Sequence, residues 1–189
     1  MPPVQPAEPL PTFTVLFVPG VTPTKWARIW NERMRRQRLE LRPASSADAV
    51  AALRDGTAQA AFLRDVAADE EFSAIRLYEE QPVVVASRDH LFAAAGVDEM
   101  IGMDELVTEN VLDGQDADTL ELVAAGAGVA TMPHSVARAL SRRDVITRIL
   151  RDAAPTTISL VWPIDRTTPA VEAFIGIVRG RTENSSRAG

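Results

Sequence analysis

Three short stretches place hydroxyls, backbone amides and cations where a strand would hand over to a helix. Thr22, Thr24 and Lys25 follow an apolar run closed by Pro19-Gly20, Ser45 and Ser46 precede a second helical pattern, and Arg64 follows a third apolar run. The first N–H groups of a helix have no intrahelical acceptor and sit at the positive end of its dipole, so such a junction suits an anion, typically a carboxylate. Lys25 adds charge there. Arg64 offers a guanidinium that can pair bidentately with a carboxylate. Each has an ordinary alternative: Thr22, Ser45 and Ser46 are good helix caps, and Arg64 is equally placed for an internal ion pair with Asp65 or Glu80.

The other reactive side chains do not assemble into a catalytic set. His90 and His134 are the only histidines, they stand far apart, and no cysteine is present. Neither a metal site nor thiol or disulfide chemistry is expected. No G-x-S-x-G occurs, and Gly126-Ala127-Gly128 lacks the flanking pattern of a dinucleotide site. The carboxylates crowded between Asp98 and Glu121 read as a solvated run. The chain is therefore not read as an enzyme, and no cofactor is expected.

Stepwise periodicity supplies the elements that hold these groups. Residues 13–18 (F-T-V-L-F-V) read as a strand, and Trp26, Ile29, Trp30, Arg33 and Met34 repeat at helical spacing, predicting a helix over 23–37. A short strand at 39–41, a helix from 45 to the stop at Gly56 and a strand at 60–63 complete a strand–helix–strand–helix–strand pattern, that of a parallel sheet. Further on, residues 77–80 lead into a strand at 83–86, and the acidic segment 104–106 is weakly helical. A helix near 119–125 and a strand at 129–132 follow, then a helix opened by Pro133 through 141, and strands at 145–150 and 158–162. The last helix spans 169–179.

Composition bounds the rest. The 189 residues, 46% hydrophobic and 24% charged, suit one domain or two small lobes. A formal charge of −6 argues against direct nucleic-acid binding. Residues 1–12, rich in proline, read as a mobile leader, and 182–189 as a flexible tail whose arginines complement a helix dipole. No apolar run is long enough for a membrane helix, and a cytoplasmic location is expected.

The order of these signals resembles the effector-binding (substrate-binding) domain of LysR-type transcriptional regulators. Four stretches carry the likeness: the opening strand with its Thr22/Thr24 turn and helix, A-V-A-A-L-R-D-G-T-A-Q-A-A-F-L at 49–63, L-V-A-A-G-A-G-V-A-T-M-P-H-S-V-A-R-A at 122–139, and Leu160-Val161-Trp162 with the helix that follows. The third is the most specific.

The resemblance implies an α/β fold of the type 2 periplasmic-binding-protein kind: two Rossmann-like lobes joined by two crossing strands, with ligand taken between them. Lobe I would comprise 13–82 plus 156–181, and lobe II 83–155. Two departures stand out. The chain offers no segment for the family's helix-turn-helix, so the expectation is an effector domain standing alone. The stretch between Leu106 and Thr119 is short for the strand and helix usually found there, so the second lobe is expected to be shortened.

Charge is distributed unevenly. Lys25, Arg28, Arg33, Arg35, Arg36 and Arg38 crowd one segment, whereas no Lys or Arg occurs from 89 to 137. Two readings stand open: solvated faces, or complementary patches that meet in a dimer or a partner complex. The resemblance implies that the first helix faces the second lobe of another subunit, which makes Trp26, Trp30, Arg33, Arg35, Arg36 and Arg38 the expected interface. The functional expectation is a regulatory module that senses a small anionic metabolite and acts through protein partners, as a homodimer or with a regulator. An interaction module with a vestigial cleft is the alternative, and a remnant enzyme of the same fold is a third reading without a catalytic set.

Overall fold

The computed structural model describes residues 11–96 and 98–180. The expectations for residues 1–10 and for the tail at 182–189 lie outside the described residues. In chain order the first elements are β1 (Thr12–Phe17), α1 (Thr24–Arg33), β2 (Arg38–Pro43), α2 (Ser46–Asp55), β3 (Ala60–Arg64), β4 (Phe72–Glu80) and β5 (Pro82–Ser87). They are followed by β6 (Val111–Leu112), α3 (Ala117–Ala124), β7 (Val129–Pro133), α4 (His134–Ala139), β8 (Val145–Ile149), β9 (Thr156–Pro163) and α5 (Pro169–Val178). Two sheets result, ordered β2-β1-β3-β9-β4 and β6-β7-β5-β8.

The chain divides into two units. One holds the residues up to Val18, Thr22–Ile75 and the chain from Leu160; the other holds Pro19–Val21 and Arg76–Ser159. Apart from the short excursion at Pro19–Val21, the chain passes between them inside β4 and again inside β9, at 75/76 and 159/160, where the sequence reading placed the passages at 82/83 and 155/156.

In the first unit β1 lies between β2 and β3, parallel to both. Its F-T-V-L-F run is buried on both faces because helices connect each parallel pair. The core is aromatic. Trp30 stacks on Phe13 with centroids 4.7 Å apart, Trp26 stacks on Phe62 at 4.6 Å, and Phe174 of α5 packs edge-on against Trp30 and Phe62. The helical spacing of Trp26 and Trp30 thus serves the sheet, and their burial removes both from the expected interface.

Helix α1 ends at Arg33, four residues short of the predicted end at 37. The Met34 amide closes the last turn on the Trp30 carbonyl, and the Trp30 indole N–H donates to the Gln37 carbonyl at 3.0 Å, which holds 34–37 as a turn. Arg35 and Arg36 therefore lie on that turn, and Arg38 begins β2.

In the second unit β5 is central, antiparallel to β7 and β8. Its side chains alternate between two clusters. Val83 and Val85 pack with Leu120, Val123, Val136 and Ala137 from α3 and α4, while Val84 and Ala86 pack with Phe92, Ile101, Leu106 and Leu150. Pro133 ends β7 rather than standing inside the first helical turn, and α4 stops at Ala139 instead of 141. Between Leu106 and α3 the described chain forms only the two-residue β6, parallel to β7. Strand β4 is nine residues long, although the sequence marked only 77–80, because charged Arg76, Glu79 and Glu80 interrupt its alternation.

Candidate functional site

The register of the first sheet brings the sequence-predicted anion residues to one edge. Phe17 is opposite Pro43 on one side and Phe62 on the other. Beyond those pairs the Val18 amide donates to the Phe62 carbonyl at 3.1 Å, and the Ala44 amide to the Phe17 carbonyl at 3.0 Å. The segments that follow β1, β2 and β3 therefore leave the sheet side by side at its C-terminal edge. Thr22, Thr24 and Lys25 belong to the first segment, Ser45 and Ser46 to the second, and Arg64 to the third. Arg64 is half-buried and the other five are exposed.

The two helix starts at this edge differ. At α2 the Ser45 hydroxyl accepts from the Asp48 amide at 3.1 Å and donates to the Asp48 carboxylate at 2.7 Å. Ser45 is thus a cap, and the Asp48 charge opposes an incoming anion. At α1 the N-cap is Pro23, with no side-chain cap; Thr22 does not fill that role. The Trp26 and Ala27 amides both turn back to the Pro23 carbonyl at 3.0 and 3.1 Å, leaving the amides of Thr24 and Lys25 as the outward donors of the turn. The Lys25 ammonium lies 4.5 Å from the centroid of the Trp26 ring, which keeps a positive charge beside those donors. At the third segment Asp65 takes a left-handed backbone, φ 56°, a conformation that costs energy outside glycine and turns the chain sharply after Arg64.

Among the described residues no group of three or more His, Asp or Glu side chains is arranged to hold a metal ion. His90 is engaged locally: its Nδ1 accepts from the Phe92 amide, and its Nε2 lies 3.1 Å from the Glu109 carboxylate. The acidic segment is less uniform than its composition suggests. Glu99 and Glu105 accept from the amides of Gly96 and Gly102, Asp116 caps α3, and Glu121 pairs with Arg142 at 2.6 Å. Arg33, Arg35 and Arg36, with Pro11, Met34 and Gln37, line a hollow of about 440 Å³ at the end of α1.

The model of the LysR substrate binding domain matches residues 24–116 and 114–183. The chain belongs to that family. Its members are regulatory effector-binding domains rather than enzymes, so the role of the chain is regulatory ligand sensing. The two matched segments meet at 114–116, inside the stretch that the sequence reading expected to be shortened.

Similar solved structures carry the same fold. The BenM effector binding domain with its effector benzoate is 18% identical, with a TM-score of 0.74 over 89% of this chain and 90% of that one. A cysteine-to-aspartate variant of the OxyR regulatory domain from Pseudomonas aeruginosa is 16% identical, with a TM-score of 0.70 over 89% and 96%. A peroxide-bound cysteine-to-serine variant of OxyR from Corynebacterium glutamicum is 21% identical, with a TM-score of 0.72 over 90% and 68%. No curated protein matches the sequence. The two-sheet α/β architecture is thus the two-lobed periplasmic-binding-protein-like fold of LysR effector domains, as the sequence resemblance implies. Among the described residues no helix is long and apolar enough to cross a membrane.

A groove that the sequence reading passed over lies in the second unit, between the β4–β5 corner and α4. The sequence reading took His134 only as one of two histidines too far apart to form a metal site. The available signal was its i, i+4 spacing from Arg138, which puts both on one stripe of a short helix.

Proposed function

We propose that this domain binds a small carboxylate or other anion at the C-terminal edge of β1, β2 and β3, and passes the bound state to protein partners. The uncapped start of α1 carries the reading: Thr22, Thr24 and Lys25 are exposed at its first turn, while the start of α2 is closed by Ser45 and Asp48. Thiol oxidation is not the signal, since the chain has no cysteine. Benzoate, the effector named for BenM, is a suitable first probe.

Calorimetric titration and thermal unfolding with benzoate, pyruvate, succinate and citrate test this. A ligand held at 100 times its Kd adds about 2.7 kcal/mol of stability. Lys25→Ala and Thr24→Val are each expected to weaken the bound acid by about tenfold, the size of one charge-assisted hydrogen bond. Silence across the carboxylates, or variants that bind like the wild type, would remove the anion reading.

A second reading, an interaction module dimerising through complementary charged faces, is favoured by the exposed Arg35 and Arg36 around the hollow beside α1. It expects the mass in solution to fall at low salt when both are changed to glutamate. An unchanged mass would discard it.

A further inference from the structure

We infer that the turns covering one face of the second sheet form a docking surface for a basic amphipathic helix of a partner protein. Helices α3 and α4 cover the other face. This one is covered by the stretch that includes the 3-10 turns Leu91–Ala93 and Met103–Leu106. Phe92, Ile101 and Leu106 point inward and join one core cluster with Val84 and Ala86 of β5. Their chain neighbours point outward: Leu91 is 66% exposed, Met100 50% and Val107 81%, and Met103 is exposed as well. Because the inward residues meet in one cluster, the outward ones share the area above it. Four large apolar side chains left in water over one short layer mark an interaction surface. Two are methionines, whose unbranched side chains adapt to a partner.

The same layer is acidic. Asp98, Glu99, Asp104 and Glu105 are exposed in it, and no Lys or Arg occurs from 89 to 137. Glu99 and Glu105 accept from the amides of Gly96 and Gly102, which leaves their charge in place. Two cations stand near. Arg148 lies beneath the layer with its guanidinium on the Ala93 and Ala95 carbonyls, and Arg151 pairs with Asp152. Apolar side chains ringed by four carboxylates attract a partner that carries Lys or Arg and repel an acidic one.

The backbone selects a helix. The amides of Ala93, Ala94, Glu99, Glu105 and Val107 donate to carbonyls of the same layer, and that of Ile101 donates to the Ile149 carbonyl. They are not available to an added strand. A helix brings its own backbone bonds satisfied and buries an apolar stripe flanked by cations. The basic helix α1 of a second copy does not answer this description, because its apolar stripe, Trp26 and Trp30, is packed on the first sheet. The occupant is therefore a different protein.

None of these residues belongs to the anion edge or to the hollow beside α1, so this inference stands or falls apart from both. Amide NMR of the whole chain tests it, titrated with a peptide of leucine and lysine about five turns long, its leucines on one helical face. Saturable shifts are expected at Leu91, Met103 and Val107, with helix gained by the peptide in circular dichroism. The same peptide with glutamate for lysine should bind at least about tenfold more weakly, and added salt should weaken the lysine peptide. Val107→Ser should cost about tenfold, the size of one buried valine, at an unchanged melting temperature. Asp98→Asn with Asp104→Asn should also weaken binding. No saturable shift, equal binding of the glutamate peptide, a bound peptide that gains no helix, or a Val107→Ser protein that binds normally would overturn the proposal. So would sedimentation of the free chain as a dimer that Val107→Ser disperses, which would give the surface to a second copy.

Discussion

Arg148 is the one charged side chain among the described residues that is buried, at 8% exposure. Its guanidinium is held by carbonyls: Nη1 donates to Thr147 at 2.9 Å, and Nη2 to Ala95 at 2.8 Å and Ala93 at 3.5 Å. The arginine thereby ties β8 to the short turn Leu91–Ala93 and the residues after it. Truncation leaves those carbonyls without their donor, so Arg148→Ala is expected to lower stability by about 2–4 kcal/mol. Arg148→Lys should recover less than half of that loss, since an ammonium cannot span three acceptors with the geometry of the planar fork. Urea unfolding with an unchanged m-value measures both. A lysine variant as stable as the wild type would show that charge alone suffices. Nothing in the sequence around V-I-T-R-I marks this arginine as interior, because two of its three acceptors, the Ala93 and Ala95 carbonyls, lie more than fifty residues away. The Ser45 cap, by contrast, was legible, as its partner is three residues on.

At the level of elements, what was legible depended on how local the cause is. Helix α2 follows from a serine cap and a glycine stop, both adjacent in the chain, and β1 from an uninterrupted apolar run. Helix α1 was overextended because Arg35 and Arg36 are good helix formers, while the turn that ends it depends on an indole reaching the Gln37 carbonyl. Strand β4 was cut short because its charged residues hide a pleat that is set by neighbouring strands. The Gly126-Ala127-Gly128 turn makes one close approach, and it is specific. A Cβ at Gly128 would come within 2.1 Å of the Asn110 carbonyl oxygen, while the next amide, Val129, donates to that same carbonyl at 2.9 Å. Backbone cannot yield as a side-chain tip does, so Gly128→Ala is expected to cost about 1–3 kcal/mol and to separate β6 from β7. Hydrogen exchange at the Val129 amide reports the second effect. Unchanged protection there would mean that the chain absorbs the methyl group elsewhere.

At the scale of the whole molecule, family and fold were legible because the order of the elements survives when single positions do not, and because the V-A-A-G-A-G-V stretch is specific. The candidate edge was legible in its residue types but not in its chemistry. The sequence offers a capping hydroxyl at both starts; Ser45 and Asp48 close α2 locally, whereas Thr22 does not fill that role at α1.

The response to acid is also a property of the whole chain, since each unit contributes two carboxylates held below the ordinary value of 3.8. The Thr57 hydroxyl does this for Asp55, the Phe72 amide for Asp69, the Thr119 amide for Asp116 and the Arg142 guanidinium for Asp144. Each carboxylate is more acidic folded than unfolded. Its stabilisation is therefore present in full above about pH 4 and is lost as the pH falls below that through the folded value. The melting temperature should accordingly hold steady from pH 7 to about pH 5 and drop below about pH 4. Asp116→Asn keeps a good helix cap while removing the titration, so it should flatten the acid limb without a large loss at neutral pH. Added salt should shift the Asp144 contribution more than that of Asp116, because an exposed ion pair is screened and a hydrogen bond to an amide much less so. A decline that begins above pH 5 in the wild type, and persists unchanged in the Asp116→Asn protein, would assign acid sensitivity to groups other than these four.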